Sequence, residues 1–523
     1  MSPDTVSNEL APLSWADAAY FAPEWILLAF FILLAVLDLF LARSTSRAVI
    51  GYLTLTGLVA SMGAVLWRLI DRDQAGSGEG EPVADVIRLL ADSYRIDDFA
   101  SMLKLVFLAA AALIVLMSLG TVKQEEVPNR GEFYYLLLPA VVGAMMMASA
   151  GDLITLYVGL ELLSVTTYVL VGLRKREVKS AEAAFKYVVT GGIASAFILF
   201  GMSYLYGLTG ATNFGAIAQA FQSQQAIAAP ELLYAGLFLL LGGFGVKIAA
   251  APFHAWAPDV YQGAPTPITA FLAVVAKGAS LAAMFRLVFS IGFFASAPGW
   301  PIADDIFLLL LVLAAAAMIV GTTAALVQRN MKRLLALSGV ANAGYLLIPI
   351  GLSLQDMHAS NTGEFGFYLI AYMLMNIGAF AVVSLVERSR GEELLGGFAG
   401  MYHRAPWTAI AMLIFLLSLA GLPVTGGFFG KLFILLGAAQ SGAYWILAVM
   451  VASSVISYYF YFAIARQMFM RSLGDDTPIP VPVTTGIVIW ICAALTLVLG
   501  IVPTPLLSWM NEHISIVTDL LVR

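Results

Sequence analysis

The feature that most constrains this chain is its division into fourteen apolar stretches, each long enough to span a bilayer as a helix. They cover approximately 24–42, 46–70, 99–120, 132–150, 153–173, 181–207, 231–252, 266–292, 303–327, 333–353, 365–387, 406–437, 442–469 and 483–509. In hydrocarbon every backbone N–H and C=O needs an internal partner, so such stretches fold as helices. The composition agrees: 61% of the 523 residues are hydrophobic and only 11% are charged, which suits a membrane slab rather than one large soluble core. The expected fold is an all-α polytopic membrane protein with about fourteen transmembrane helices, forming a single membrane domain over 1–523.

The distribution of positive charge orients these spans. With both termini outside, the inner loops collect sixteen of the 27 Lys and Arg residues, from Arg43 and Arg47 to Arg466 and Arg471. The outer side holds five: Arg68, Arg72, Arg88, Arg95 and Arg523. This asymmetry follows the positive-inside rule. The one long outer loop, Asp71 to Asp98, contains the run Gly76-Ser77-Gly78-Glu79-Gly80-Glu81 and reads as a flexible connection without chemistry. The polar, acidic first 22 residues lack the basic n-region of a signal peptide and the Arg-rich pattern of a transit peptide, which favours a bacterial cytoplasmic membrane.

Several function classes are excluded. Cys492 is the only cysteine, so the chain builds no disulfide, thiolate zinc site or iron–sulfur cluster of its own. It has no Walker A sequence and no glycine-rich dinucleotide fingerprint after a strand, and nothing in it suits nucleic acid. No cofactor or metal is expected in this chain, and its energy must come from an ion gradient or from partner subunits.

Two spans carry helix breakers near their middle. The seventh ends in Lys247-Ile248-Ala249-Ala250-Ala251-Pro252-Phe253-His254-Ala255-Trp256-Ala257-Pro258, and the twelfth contains Gly421-Leu422-Pro423-Val424-Thr425-Gly426-Gly427 before Lys431. Proline removes an intrahelical bond, and irregular backbone at membrane depth survives only inside protein or along a cavity. The breaks lie five spans apart, each with a lysine nearby, which suggests two inverted five-helix repeats. The expected organisation is three N-terminal helices over 24–120, repeats over 132–292 and 303–469, and a C-terminal helix over 483–509.

Charge inside these stretches carries the functional signal. Glu161, Lys247, Lys277 and Lys431 fall deep within spans five, seven, eight and twelve, where an ionisable side chain marks a function by default. The economical arrangement is a Glu161–Lys247 pair. Lys186, nearer the basic inner loop, is as readily a snorkelling residue as a functional one, and His254 beside the first break is a shuttle or simply packs the broken turn. Arg286 reads as an interfacial anchor at the outer end of span eight. Desolvation weakens a lysine's hold on its proton and a nearby carboxylate restores it, so small movements can switch the charge. At an effective dielectric near 20 and a spacing of ~8 Å, neighbouring charges interact by about 2 kcal/mol, enough to gate a proton.

At Pro252-Phe253-His254 and Trp256-Ala257-Pro258-Asp259-Val260-Tyr261-Gln262-Gly263-Ala264-Pro265-Thr266-Pro267 the chain resembles subunit N of the proton-pumping NADH–quinone oxidoreductases, or respiratory complex I. Supporting matches are Tyr157 to Gly172 around Glu161, Asn330-Met331-Lys332-Arg333-Leu334-Leu335-Ala336, and Ser418-Leu419-Ala420-Gly421-Leu422-Pro423 through Gly430-Lys431. Related subunits L and M and multisubunit Na⁺/H⁺ antiporters tend to differ at Asp259-Val260-Tyr261-Gln262-Gly263, subunit M often has glutamate in span twelve, and subunit L usually adds a lateral helix beyond its last spans. The resemblance implies an antiporter-like fold in which Glu161 tunes Lys247, Lys277 is the central relay and Lys431 leads outward. It also implies partner subunits (an antiporter-like subunit M and small membrane subunits) and flavin, iron–sulfur clusters and quinone held elsewhere in the complex. Asn342 stands where many relatives have histidine, so a titrating relay at that point is in doubt. The alternatives are a cation/proton antiporter subunit and a purely structural membrane subunit.

Overall fold

The computed structural model describes residues 15–42, 45–76, 86–123, 127–223, 229–295, 300–352, 361–391, 393–471 and 477–520. Among them, thirteen helices are long and apolar enough to cross a membrane. They are Ala22–Phe40, Ala48–Ile70, Asp98–Thr121, Arg130–Ser149, Leu153–Val171, Val178–Thr209, Pro230–Lys247, Thr266–Phe294, Ile302–Ala325, Met331–Gly351, Asn361–Arg390, Tyr444–Met470 and Val483–Ile501. The expected twelfth crossing is a pair of shorter apolar helices, Pro406–Ala420 and Gly426–Gln440. Counting that pair as one crossing, the numbering of fourteen spans carries over.

Local chemistry sets the divisions. Asp152 separates spans four and five by accepting Thr155 N–H at 2.6 Å, capping the helix that starts at Leu153. Asp97 caps span three through Ala100 N–H, and Asn330 caps span ten through Arg333 N–H. Both breaks contain a non-glycine residue with positive φ, Ala249 at 56° and Val424 at 71°. Side chains tolerate that region poorly, and the surrounding structure must hold them there.

Contacts between loops sort the helix ends into two faces. Bridges Tyr94↔Ala150 and Asp152↔Asn213 join the connections that follow spans two, four and six, and Asn330↔Leu394 joins those following spans nine and eleven on the opposite face. Arg68 donates to Tyr20 O, and Ser290 donates to Leu520 O, so both ends of the described chain lie on the first face.

The long outer loop departs from expectation. Ser77–Glu81 lies outside the described residues, but Ile87–Leu89 and Tyr94–Ile96 pair antiparallel, with Arg88 opposite Arg95. Tyr94, Arg95 and Ile96 are buried. The sequence carries no glycine turn signal here; the hairpin turns through Leu90, Ala91 and Asp92, all at positive φ.

Burial separates centre from rim. The most apolar windows of spans eight and ten are entirely buried and that of span eleven is 94% buried, against 22% for span one. Polar side chains on spans eight, ten and eleven therefore face protein.

Candidate functional site

The break in span seven ends its first half at Lys247 and resumes at Ala257–Gly263. Trp256 Nε1 donates to Val246 O at 2.9 Å, tying the resumed helix to the end of the first half. Lys247 Nζ donates to Ser164 Oγ at 2.8 Å, Ser195 Oγ at 3.1 Å and Tyr168 Oη at 3.4 Å. Ser195 in turn donates to Glu161 Oε1. The expected Glu161–Lys247 pair is thus corrected: no direct ion pair joins them, and a serine hydroxyl from span six stands between carboxylate and amine. Span six runs close enough to span seven to insert Ser195 because small residues face its neighbour, Ala194 and Gly201 against Gly243 and Gly236.

Lys277 follows a π-helical turn, Leu272–Ala276, inside span eight. Such turns shift the helix register and are frequent at functional sites. The lysine is 3% exposed and donates to Gly339 O of span ten at 2.7 Å.

Lys431 lies on the second half of span twelve and reaches back across the break. It donates to Leu419 O at 2.9 Å and Ala420 O at 3.3 Å, the last carbonyls of the first half. A helix C-terminus presents unsatisfied carbonyls and partial negative charge, so this is a natural seat for an ammonium. Nζ also lies 4.7 Å from the centre of the Tyr345 ring.

Between Lys277 and Lys431 the groups are neutral. Asn342 donates to Ser338 O at 2.7 Å and accepts from Tyr368 Oη at 2.5 Å, while Ser338 Oγ meets Tyr461 Oη at 2.5 Å. Tyr345 Oη contacts Ser453 and Ser454. These groups are buried or nearly so.

The remaining candidates lie elsewhere. Lys186 is half exposed and pairs with Glu182 and with Asp259 of the resumed helix, each at 2.6 Å. Arg333 of span ten also pairs with Asp259. His254 is half buried in the broken turn, and its Nδ1 makes no hydrogen bond among the described residues. Neither Lys186 nor His254 shares a hydrogen-bond partner with Lys247.

Arg286 is not an interfacial anchor. It is fully buried and donates Nη2 to both Asp97 oxygens at 2.9 and 2.8 Å. A buried guanidinium requires a paired carboxylate, and this one comes from 189 residues earlier. Two further buried clusters gave no signal. Lys104 meets Glu24 at 2.9 Å and Tyr94 Oη at 2.7 Å. Lys332 meets Glu393 at 2.5 Å and Glu387 at 3.5 Å, with Glu387 also held by Arg174 at 2.8 Å. Pairing across such sequence distances has no periodicity to reveal it. Among the described residues no group of His, Cys, Asp and Glu is arranged to hold a metal ion.

The family profile described as NADH:quinone oxidoreductase/Mrp antiporter, TM, matches residues 150–457, which span both breaks and all four deep charges. NADH-quinone oxidoreductase subunit N of Paenibacillus sp. (strain JDR-2) is 60% identical over 525 residues, covering 99% of this chain and 100% of that protein. The chain belongs to the NADH-quinone oxidoreductase subunit N family. The subunit N of Brevibacillus brevis is 46% identical, with 95% and 96% of the two chains covered. A chain of respiratory complex I from Thermus thermophilus superposes with a TM-score of 0.74 at 31% identity, over 93% of this chain and 98% of that one. A chain of the Mrp complex from Dietzia sp. superposes at 0.80 with 19% identity, over 96% and 97%, a likeness of fold alone.

Proposed function

We propose that this chain is the subunit N of a membrane arm and moves protons across the bilayer while partner subunits carry electrons from NADH to quinone. Membership of the subunit N family supports this, as does the superposition on a chain of complex I. Flavin, iron–sulfur clusters and quinone belong to the partners, which include an antiporter-like subunit M and small membrane subunits. The membrane is the bacterial cytoplasmic membrane, with both termini on its outer side. Residues 132–292 and 303–469 act as two inverted repeats, each contributing one broken helix.

The observation that carries the reading is the placement of three lysine amines inside the helical slab, each on uncharged acceptors beside a helix irregularity. An ionisable side chain at such depth, facing protein, marks a proton or ion path by default. Glu161, acting through Ser195, sets the charge of Lys247. A proton leaving Lys247 changes the field at Lys277, and Lys277 in turn addresses Lys431. Lys186 and His254 stand aside from this line: Lys186 ties span six to the resumed half of span seven through Asp259. The likeness to an Mrp chain, at 19% identity, is one of fold alone and leaves subunit N as the better-supported reading.

Lys247→Ala in the assembled complex tests the proposal. Proton uptake into vesicles per quinone reduced should fall, with electron transfer continuing only in reduced form. Full pumping by this variant would reject the proton role and leave the structural reading.

A further inference from the structure

Two stretches that the relay above leaves unused, Asp259 to Ala264 and Asn330 to Arg333, meet in space. Lys332 and Arg333 lie in the first turn of span ten, just after its cap Asn330. Cations there oppose the helix dipole, so span ten gains nothing from them as a helix. Their partners include the resumed half of span seven, Ala257–Gly263, and its end. Arg333 Nη1 donates to Asp259 and, at 3.1 Å, to Gln262 Oε1. Lys332 is fully buried and donates Nζ to Ala264 O at 3.0 Å and Gln262 O at 3.5 Å. Pro265 follows and has no N–H to continue the helix, so these end carbonyls, with their partial negative charge, suit an ammonium. Glu393 and Glu387 hold Lys332 from the other side. At its opposite end the resumed helix reaches the surroundings of Lys247 twice. Trp256 Nε1 holds Val246 O, the carbonyl just before Lys247. The Trp256 ring also stacks on Tyr187 with centroids 5.0 Å apart, Tyr187 meets Tyr168 edge-on at 4.8 Å, and Tyr168 Oη accepts from Lys247 Nζ.

We propose that Lys332 and Arg333 are positioning residues for Lys247: from span ten they fix the resumed half of span seven, and through Trp256 that half holds the amine on its serine acceptors. The inference rests on the proton-relay reading. A helix of seven residues is about 10 Å long and moves as one body. Releasing its C-terminal end therefore frees Trp256 as well, and with it the Val246 carbonyl and the ring stack beside Lys247. Trp256 and Tyr187 are buried, in an interior packed too densely for one ring to shift without its neighbours. Among the described residues neither Arg333 nor Lys332 shares a hydrogen-bond partner with Lys247. The pair thus acts on where the amine sits and takes no part in passing its proton.

The test measures proton uptake per quinone reduced, normalised to assembled complex, in vesicles containing the full complex. Arg333→Ala, Lys332→Met and Trp256→Phe are each made alone and together with Lys247→Ala. Trp256→Phe keeps an aromatic ring against Tyr187 and removes the Nε1 donor, so it tests the link without disturbing the ion pairs. Each single substitution should lower uptake. None should add to the loss caused by Lys247→Ala, because residues that act through one another are not additive. Arg333→Lys keeps a cation against Asp259 and should pump better than Arg333→Ala. A merely structural grip would lower the yield of assembled complex while uptake per quinone reduced stayed normal. Normal uptake in Arg333→Ala or Trp256→Phe, losses that add to that of Lys247→Ala, or equal losses in Arg333→Ala and Arg333→Lys would overturn the proposal and leave the relay standing. Normal uptake in Lys247→Ala would instead overturn the relay, and this positioning role with it.

Discussion

At the scale of single residues, the position of Ser195 decides how Glu161 and Lys247 communicate. Its hydroxyl accepts from the amine and donates to the carboxylate, so the two ions are coupled through one rotatable group. Hydrogen bonds to charged groups contribute about 1.5–3 kcal/mol. Ser195→Ala should therefore lower proton uptake per quinone reduced, whereas Ser195→Thr should keep most of it. Equal pumping by the alanine and threonine variants would remove Ser195 from the path. The two charges were legible because any charge deep in an apolar stretch stands out. The serine was not. A serine or threonine in an apolar helix commonly turns its hydroxyl to its own preceding turn, as Thr190 and Ser280 do here.

At the scale of elements, proline and glycine announced both broken helices, while the π turn before Lys277 had no such marker. Its residues, Leu272-Ala273-Val274-Val275-Ala276, read as an uninterrupted helix. The C-terminal turn Ile516–Leu520, outside the spans, has a pH-dependent attachment. Burial, reinforced by the charges of Asp97 and Asp98, pushes the Asp519 carboxyl up to about 8. Its raised value means the docked segment favours the protonated acid. Docking should be fully favourable below the ordinary carboxylate range near ~4 and weaken as pH rises through about 8. Hydrogen exchange at 514–520, corrected for intrinsic rates, should accelerate across that window, and Asp519→Asn should remove the dependence. Protection unchanged from pH 5 to 9 would contradict it.

At the scale of the whole molecule, buried ion pairs tie distant spans together at each face. On the face opposite Tyr20 and Leu520, Glu387 of span eleven holds Arg174, Lys332 and the Thr266 hydroxyl at the start of span eight. Glu387→Ala leaves two cations without this carboxylate, and removing one partner of a buried pair typically costs about 3–5 kcal/mol. The purified complex carrying it should melt several degrees lower or lose this subunit, measurable by thermal unfolding and gel filtration. An unchanged melting curve would show that the remaining partner, Glu393, is sufficient for Lys332. The sequence alone determined the apolar crossings, the uneven sharing of loop charge, the two breaks and the presence of lysines within the apolar stretches. Each is set within one helix length by the aversion of hydrocarbon for charge and for unpaired backbone. Only the tertiary structure decided which acceptor each amine meets and that Arg286 is paired rather than anchored. Those choices depend on how helices far apart in the chain pack against one another, and packing leaves no local pattern.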